Sequence, residues 1–520
     1  MSKRLSLYKF SEIDKAFDGL AFTSTNGKTP RWDSLSNILQ LLSTLNCKAI
    51  IKQYPVQDPD YYAEYSRYYS KVFATIDKYC HRFHLFSCEP NDAENALDFL
   101  DRAHSENPND YLGFITIRPI RSSPVAATII KPPPGNHFVL AHDEFHVHLA
   151  GKTFSIRATP FMQQDNAVGA CAQASIWMAL RTLRKKEGNS AFDPAQITSA
   201  ATRFLTRGRT LPNREGLSVE QIIEAVRFAG YSSHIVWLRG QSDKHTRESL
   251  ATAKRKIYAY VESEIPVILG LLPSLQTGHA VVLIGHSWDA SIEPTPIGSY
   301  EMPHDSMLKV FHSVNWVDDF FIHNDNTGPY EKLKDKSDDG NVYTLEQAVF
   351  AVPLLPSDVF ITGEEAEVTS FDLILQMIKE YLETKSEELG LTEVKPIVVR
   401  TYLSERYRFR EWVTHNKNMP DVLKRYFREK EFPKRIWVTE ICLLETYSES
   451  DKNKSNRIGE VILDPTGEPN DTPFLSAHIN VSALLGKAGP GILLDRSADG
   501  LEIGVLRVDD DQLYSALCRI

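Results

Sequence analysis

Read for the spacing of its apolar residues, the chain changes rhythm twice. Across residues 1–150 helical and strand periods mix. Leu35–Leu45 is amphipathic over a short helix, whereas Leu112–Ile120 (LGFITIRPI) and Val125–Ile130 alternate as strands do. Asp58–Tyr79 carries Tyr61, Tyr62, Tyr65, Tyr68 and Tyr69 and predicts a helix with an aromatic stripe, of the kind that packs a core or an interface. Residues 151–355 predict a strand at Thr153–Arg157, then helices, then strands. The helices run from about Cys171 to Arg184, from Ser218, and over about Arg247–Glu262. Ser218 and Gln221 have the spacing of a capping box, and Gly230 supplies the stop. The strands are Val267–Leu271, Ala280–Gly285, Met307–Phe311 and Asp319–His323. Helices first and antiparallel strands later is an α+β order. Residues 356–520 predict a helix at Phe371–Leu389 that stops at Gly390, and strands at Pro433–Glu445 and Ile458–Leu463. Breaks fall at Pro132–Pro134 with Gly135, at Pro353–Pro356, and in the polar run Ser448–Arg457. The expected division is therefore 1–150, 151–355 and 356–520, with α+β segments flanking an α+β centre.

Composition narrows the function without choosing it. The chain has 520 residues, 42% apolar and 24% charged, which is an ordinary globular balance with material for more than one core. A net charge of −10 gives no global field toward nucleic acid or an anionic membrane. The basic runs Arg181–Lys186 and Lys424–Lys434 read as solvated helix faces. Six cysteines, none in a CxxC pair, are too sparse for a secreted disulfide framework and fit reduced thiols in a cytoplasmic protein. The N-terminus shows no signal-peptide pattern, and the longest apolar run, Ile265–Leu272, is far short of the roughly 20 residues a membrane span needs.

Candidate chemistry centres on Cys171. It follows Gly169 and precedes Ile176, Ala179, Leu180 and Leu183 at helical spacing, so it sits at a helix N-terminus. Unpaired N–H groups there favour thiolate over thiol. The plain alternative is a small buried hydrophobe. Gln163 and Gln164, seven or eight residues earlier, carry amides able to donate to a developing oxyanion beside the Cys171 N–H; exposed loop glutamines are the commoner case. His279 follows Gly278 and opens an apolar strand, where it is either a structural core histidine or the base for the thiol. Asn324 and Asp325 follow another strand. Either accepts the imidazole N–H and fixes its tautomer, unless the run Asn-Asp-Asn-Thr-Gly is only a turn. It is the order Gln, Cys, His, Asn/Asp that favours the chemical reading.

These stretches resemble papain-like cysteine peptidases, and within them the bacterial double-glycine leader peptidases and their stand-alone relatives. The likeness rests on Gln164–Leu180, on Gly278, His279 and Gly285 around a hydrophobic strand, on Ile265–Leu269, on the EGLSVEQIIEAVRFAGY helix and on IHNDNTG. It spans about 200 residues. It implies a central papain-like domain in which the cysteine-bearing helix packs on an antiparallel sheet. The implied activity is that of a cysteine peptidase cleaving an amide or isopeptide bond, with no cofactor and no metal. A protein or peptide would be its substrate, and the flanking segments would be open to a regulatory partner. Two departures stand out. The family usually has glycine directly after the cysteine, where this chain has Ala172, and its glutamine commonly lies six residues before the cysteine, where Gln164 lies seven before. Counting back from Gly328 as in the leader peptidases selects Asn324 as orienting residue, and counting as in papain selects Asp325. Asp325 is preferred, since a carboxylate stabilises imidazolium more strongly.

Other signals lead elsewhere and are weaker. His142, His146 and His148, and Cys80 and Cys88 around His81 and His84, have the composition of zinc ligands but not a full set at regular spacing. No P-loop, GxGxxG or HExxH motif is present. The same dyad supports deamidation or transglutamination, a papain-like scaffold without activity keeps the same fold, and an effector of bacterial conflict suits large flanking segments.

Overall fold

The structure, a computed structural model, describes residues 4–20, 33–135, 137–164, 171–190, 192–204, 216–238, 249–273, 278–303, 305–336, 343–389, 394–416, 419–447, 456–467, 472–486, 491–497, 500–506 and 514–515. Helix and sheet are mixed, as an α+β order requires. The chain forms two compact units that interleave along the sequence. The first takes Met1–Lys244, Glu264–Gly285 and Phe320–Leu354; the second takes His245–Ser263, His286–Asp319 and Leu355–Ile520. The boundaries expected near 150 and 355 therefore do not coincide with the units: residues 1–150 join the centre, and parts of the centre join the C-terminal segment.

In the first unit, strands Leu5–Lys9, Ala49–Val56, Cys80–Phe86, Tyr111–Ile117 and Ile129–Ile130 lie in that order in one antiparallel sheet. A second sheet is ordered Val236–Trp237, Ala348–Pro356, Val267–Leu271, His279–Ser287, Phe320–Asn324 and Gly328–Leu333. Val267–Leu271 is buried throughout, so it reads in the sequence as an unbroken apolar run rather than an alternating one. One apolar core joins both sheets to the helices. It takes Ile38 and Leu42 from helix Asp33–Thr44, Ile115 from the first sheet, Trp177 and Leu180 from helix Cys171–Lys186, and Val282 from the second sheet. Its continuity is why residues 1–150 do not form a body of their own. Gly285 is fixed by the close approach of strand His137–Val139: a Cβ there would stand 2.0 Å from the Phe138 carbonyl oxygen.

In the second unit, strands Gly298–Met302, Ser306–His312, Ile397–Glu405, Arg435–Leu443, Asn456–Leu463, Phe474–Ile479, Gly491–Ser497 and Gly500–Leu506 follow one another in a single sheet. Adjacent strands in this order run antiparallel except Ser306–His312 beside Ile397–Glu405. Charge is buried across the middle of this sheet. Arg400, Glu440, Glu460 and His478 occupy one row of paired positions. Glu440 accepts from Arg400 Nη2 at 2.6 Å, from Arg457 Nη1 at 2.9 Å and from the Tyr402 hydroxyl at 2.7 Å. Such a group is tolerable only because its oxygens are met by several donors at once.

Four local expectations change. The aromatic stretch is helical only over Pro59–Arg67. Tyr68 leaves the helix at φ −123° and ψ −60°, and residues 71–75 are exposed, so no apolar face remains for a helix to bury. The break expected at Pro353–Pro356 is the end of strand Ala348–Pro356. Pro353 pairs with Val267 on one side, while Val236–Trp237 pairs with Ala351 and Phe350 and the separate short strand Tyr231–Ser233 also pairs with Ala348–Pro356. The helix expected from Phe371 begins at Gly363, with Thr362 and Glu365 bonding reciprocally at its start: Thr362 N to Glu365 Oε2 is 2.8 Å and Glu365 N to Thr362 Oγ1 is 3.2 Å. The strand around Met307–Phe311 exists as Ser306–His312 but belongs to the sheet of the second unit. Gly390 lies outside the described residues.

Candidate functional site

Three elements of the first unit carry the residues singled out by the sequence. Helix Cys171–Lys186 opens on Cys171. The Cys171 side chain and residues 165–170, Gly169 among them, lie outside the described residues. Among the described residues the first turn is anchored by Ser175, one turn on and on the same face: its hydroxyl donates to the Ala280 carbonyl at 3.0 Å. Ala280 is the residue after His279, so the first turn of the cysteine helix is tied to the first residues of the histidine strand.

His279 opens strand His279–Ser287, paired with Leu271 on one side, while Phe320–Asn324 is the neighbour on the other. Its ring is 7% exposed, and Nε2 lies 2.8 Å from Asn324 Oδ1. That oxygen also accepts the Asn326 main-chain N–H at 3.1 Å. A main-chain N–H can only donate, which fixes the atom facing His279 as oxygen. Nε2 must then carry the proton, and Nδ1 carries the lone pair. Burial pushes the His279 pKa below its ordinary value, and the Asn324 hydrogen bond works against part of that shift. The resting ring is thus a neutral imidazole with Nδ1 as its basic atom.

Asp325 is the next residue, with Oδ1 3.6 Å from His279 Nε2, beyond hydrogen-bond reach. It is fully buried, and neither carboxyl oxygen has a hydrogen bond among the described residues. Burial pushes its pKa well above the ordinary carboxylate value. Both groups are driven toward their neutral forms, so the contact is not an ion pair at neutral pH. The sequence preferred Asp325 as the partner of His279; in the structure the hydrogen bond goes to Asn324.

The turn that presents Asn324 is braced from outside. Asn37 of helix Asp33–Thr44 donates to the Thr327 carbonyl at 2.7 Å. Gly328 closes the turn at φ +141°, where a Cβ would press to 3.3 Å on the Asn37 Cβ. Tyr343 lies over the His279 ring, centroids 4.6 Å apart and planes 31° apart, and its hydroxyl accepts from Asn326 Nδ2 at 3.1 Å. Sequence reasoning passed over Ser175, Asn37 and Tyr343. Only Ser175 had a legible signal, a hydroxyl one turn after Cys171 on its helix face.

Gln163 is held three ways. Its N–H donates to the Val125 carbonyl at 3.1 Å, its carbonyl accepts from Arg118 Nη2 at 2.8 Å, and its Oε1 accepts from the Val125 N–H at 3.2 Å. With Oε1 engaged, Nε2 is the group its amide has left to donate. Gln164 is half-buried. The other described cysteines are poor nucleophiles: burial pushes Cys47 up to about 12 and Cys88 up to about 11, and raises Cys80 and Cys442 further. Cys518 lies outside the described residues.

The histidine-rich stretches do other work. His146 and His148 stand exposed on strand Asp143–Leu149, each with Nδ1 2.9 Å from a hydroxyl of the paired strand, Ser155 and Thr153. His84 is buried between Tyr111 and Gln53, and His81 stacks on Tyr54. Among the described residues no group of three or more His, Cys, Asp or Glu is placed to hold a metal ion, and no helix is long and apolar enough to cross a membrane.

No protein-family model matches the chain, and no curated protein matches it. Among solved structures it is similar to the peptidase domain of Streptococcus ComA, a bi-functional ABC transporter involved in a quorum sensing pathway. The likeness is 13% in identity over 37% of this chain and 96% of that one, at a TM-score of 0.22, and at that score it carries no weight for fold or activity.

Proposed function

We propose that the chain is a papain-like thiol hydrolase acting on an amide bond of a protein or peptide. Cys171 is the nucleophile, His279 the base, and Asn324 the residue that fixes the imidazole. The Cys171 sulfur adds to the carbonyl carbon as its proton passes to His279 Nδ1. The tetrahedral oxyanion is held by the Cys171 N–H and by an amide of Gln163 or Gln164. His279 returns the proton to the leaving amine, the C–N bond breaks, and water releases the acid from the thioester.

The reading is carried by the His279–Asn324 hydrogen bond, which leaves Nδ1 as the basic atom on a strand tied through Ala280 and Ser175 to a helix that opens on a cysteine. The test is alkylation by iodoacetamide at pH 7, with sites mapped by mass spectrometry. Cys171 is expected to react first among the six cysteines, and His279→Ala to slow it at least about tenfold. Labelling of Cys171 at the rate of a free thiol, unchanged by His279→Ala, overturns the reading.

A further inference from the structure

One short helix far from these residues in sequence is linked both to Gln163, through Arg118, and to the helix that opens on Cys171, through Arg181. Helix Pro59–Arg67 starts with Asp58 as its cap and Pro59 in its first turn. Asp60 and Glu64 are four apart, hence on one face, and both are buried, at 2% and 3% exposure. Asp60 Oδ1 lies 3.4 Å from Arg181 Nη1, on the cysteine helix. Glu64 Oε2 lies 3.0 Å from Arg118 Nη1. Arg118, 1% exposed, also donates to main chain: Nε to the Ser123 carbonyl at 2.7 Å and Nη2 to the Gln163 carbonyl at 2.8 Å. Arg67 of the same helix donates to the Ala195 carbonyl at 3.1 Å, on helix Pro194–Ala201, which packs beside the cysteine helix.

An oxyanion site made of a helix-start N–H and a glutamine amide works only if the two donors keep a fixed separation, because they must meet a charge that exists only in the transition state. Among the described residues the two donors are held by separate partners: Gln163 by Val125 and Arg118, and the cysteine helix through Ser175 by the Ala280 carbonyl. We infer that the Asp60/Glu64 face of helix Pro59–Arg67 is a bracket that sets the segment carrying Gln163 against the cysteine helix, making Glu64 and Arg118 positioning residues for the oxyanion site. Burying two acids costs stability unless their partners repay it, and both partners are arginines that lead to the site. The inference rests on the thiol-hydrolase reading.

The experiment separates two reactions of one sulfur in the full chain. With iodoacetamide the S–C bond forms as C–I breaks and iodide leaves, and no oxyanion arises. With p-nitrophenyl acetate the sulfur adds to the carbonyl, an oxyanion forms, and p-nitrophenolate leaves as the acyl-enzyme appears. Glu64→Gln keeps an acceptor for Arg118, and Glu64→Ala removes it. The bracket predicts that Glu64→Ala slows acylation about tenfold or more while alkylation of Cys171 stays within about twofold, and that Glu64→Gln restores most of the acylation rate. Equal slowing of both reactions, or acylation unchanged in Glu64→Ala, overturns the bracket. If Glu64→Ala does not fold, Arg118→Lys, which keeps a cation for Glu64 but not the fork that also holds the Ser123 and Gln163 carbonyls, decides it: acylation falling alone supports the bracket, and acylation unchanged or falling in parallel with alkylation overturns it. Failure of the underlying reading looks different, as wild-type Cys171 would then show no His279-dependent alkylation at all.

Discussion

At the scale of single residues, two adjacent side chains divide the work that the sequence left open between them. Asn324 holds His279, while Asp325 is a buried acid without a hydrogen bond among the described residues. Asn324→Ala is therefore expected to lower the iodoacetamide rate at Cys171 by about tenfold to a hundredfold, and Asp325→Asn to leave it within about threefold. Asp325 has a second consequence, in stability. Its folded pKa is raised, so between the ordinary carboxylate range and that raised value the folded state binds more protons than the unfolded one. Stability is then lost as pH rises, by at most about 1.4 kcal/mol per pH unit. Chemical denaturation from pH 4 to 7 should show a shallower decline in Asp325→Asn. His279 acts in the other direction: its folded pKa is lowered, so its contribution is lost as pH falls below about 6.5. The sequence could not choose between Asn324 and Asp325, because the choice depends on which side chain the Asn326 N–H and the strand register turn toward His279.

At the scale of elements, what the sequence made legible was whatever is set locally. The helix from Val219 was readable because Ser218 and Gln221 close a capping box, and the cysteine helix because its apolar residues recur at helical spacing. The Thr362–Glu365 start was equally local and was missed, because the apolar pattern drew attention to Phe371. Which sheet a strand joins is not local, and for that reason the strand expected at Met307–Phe311 within 151–355 lies in the sheet of the second unit. The link between Ser175 and the Ala280 carbonyl is the elementary tie between cysteine helix and histidine strand. Ser175→Ala leaves that buried carbonyl short of a donor and is expected to cost about 1–3 kcal/mol by urea denaturation. It should also slow Cys171 alkylation; a loss of stability with an unchanged alkylation rate would mean that the tie does not serve the site.

At the scale of the molecule, each unit buries paired charge beside its apolar core: the first at Glu64 and Arg118, the second across one sheet. Glu440 answers Arg400, Arg457 and Tyr402 together, so Glu440→Gln leaves two buried guanidinium groups under-compensated. A loss of about 3–5 kcal/mol is expected, read as faster amide exchange in strands Ile397–Glu405 and Arg435–Leu443. The broad class was open to sequence reading, but the interleaving was not, because residues 245–263 and 286–319 have no property that says which core they will enter.

That interleaving bears on how the protein can be made and cut. As the ribosome releases the chain, helix Leu250–Glu262 emerges long before strand Ile397–Glu405, whose Arg400 meets its Glu262. A fragment ending near residue 355 would carry Tyr258 and Glu262 without Tyr447 and Arg400, leaving aromatic and acidic surface with nothing to close over it. A recombinant piece trimmed to end near residue 355 should therefore precipitate where the 520-residue chain does not.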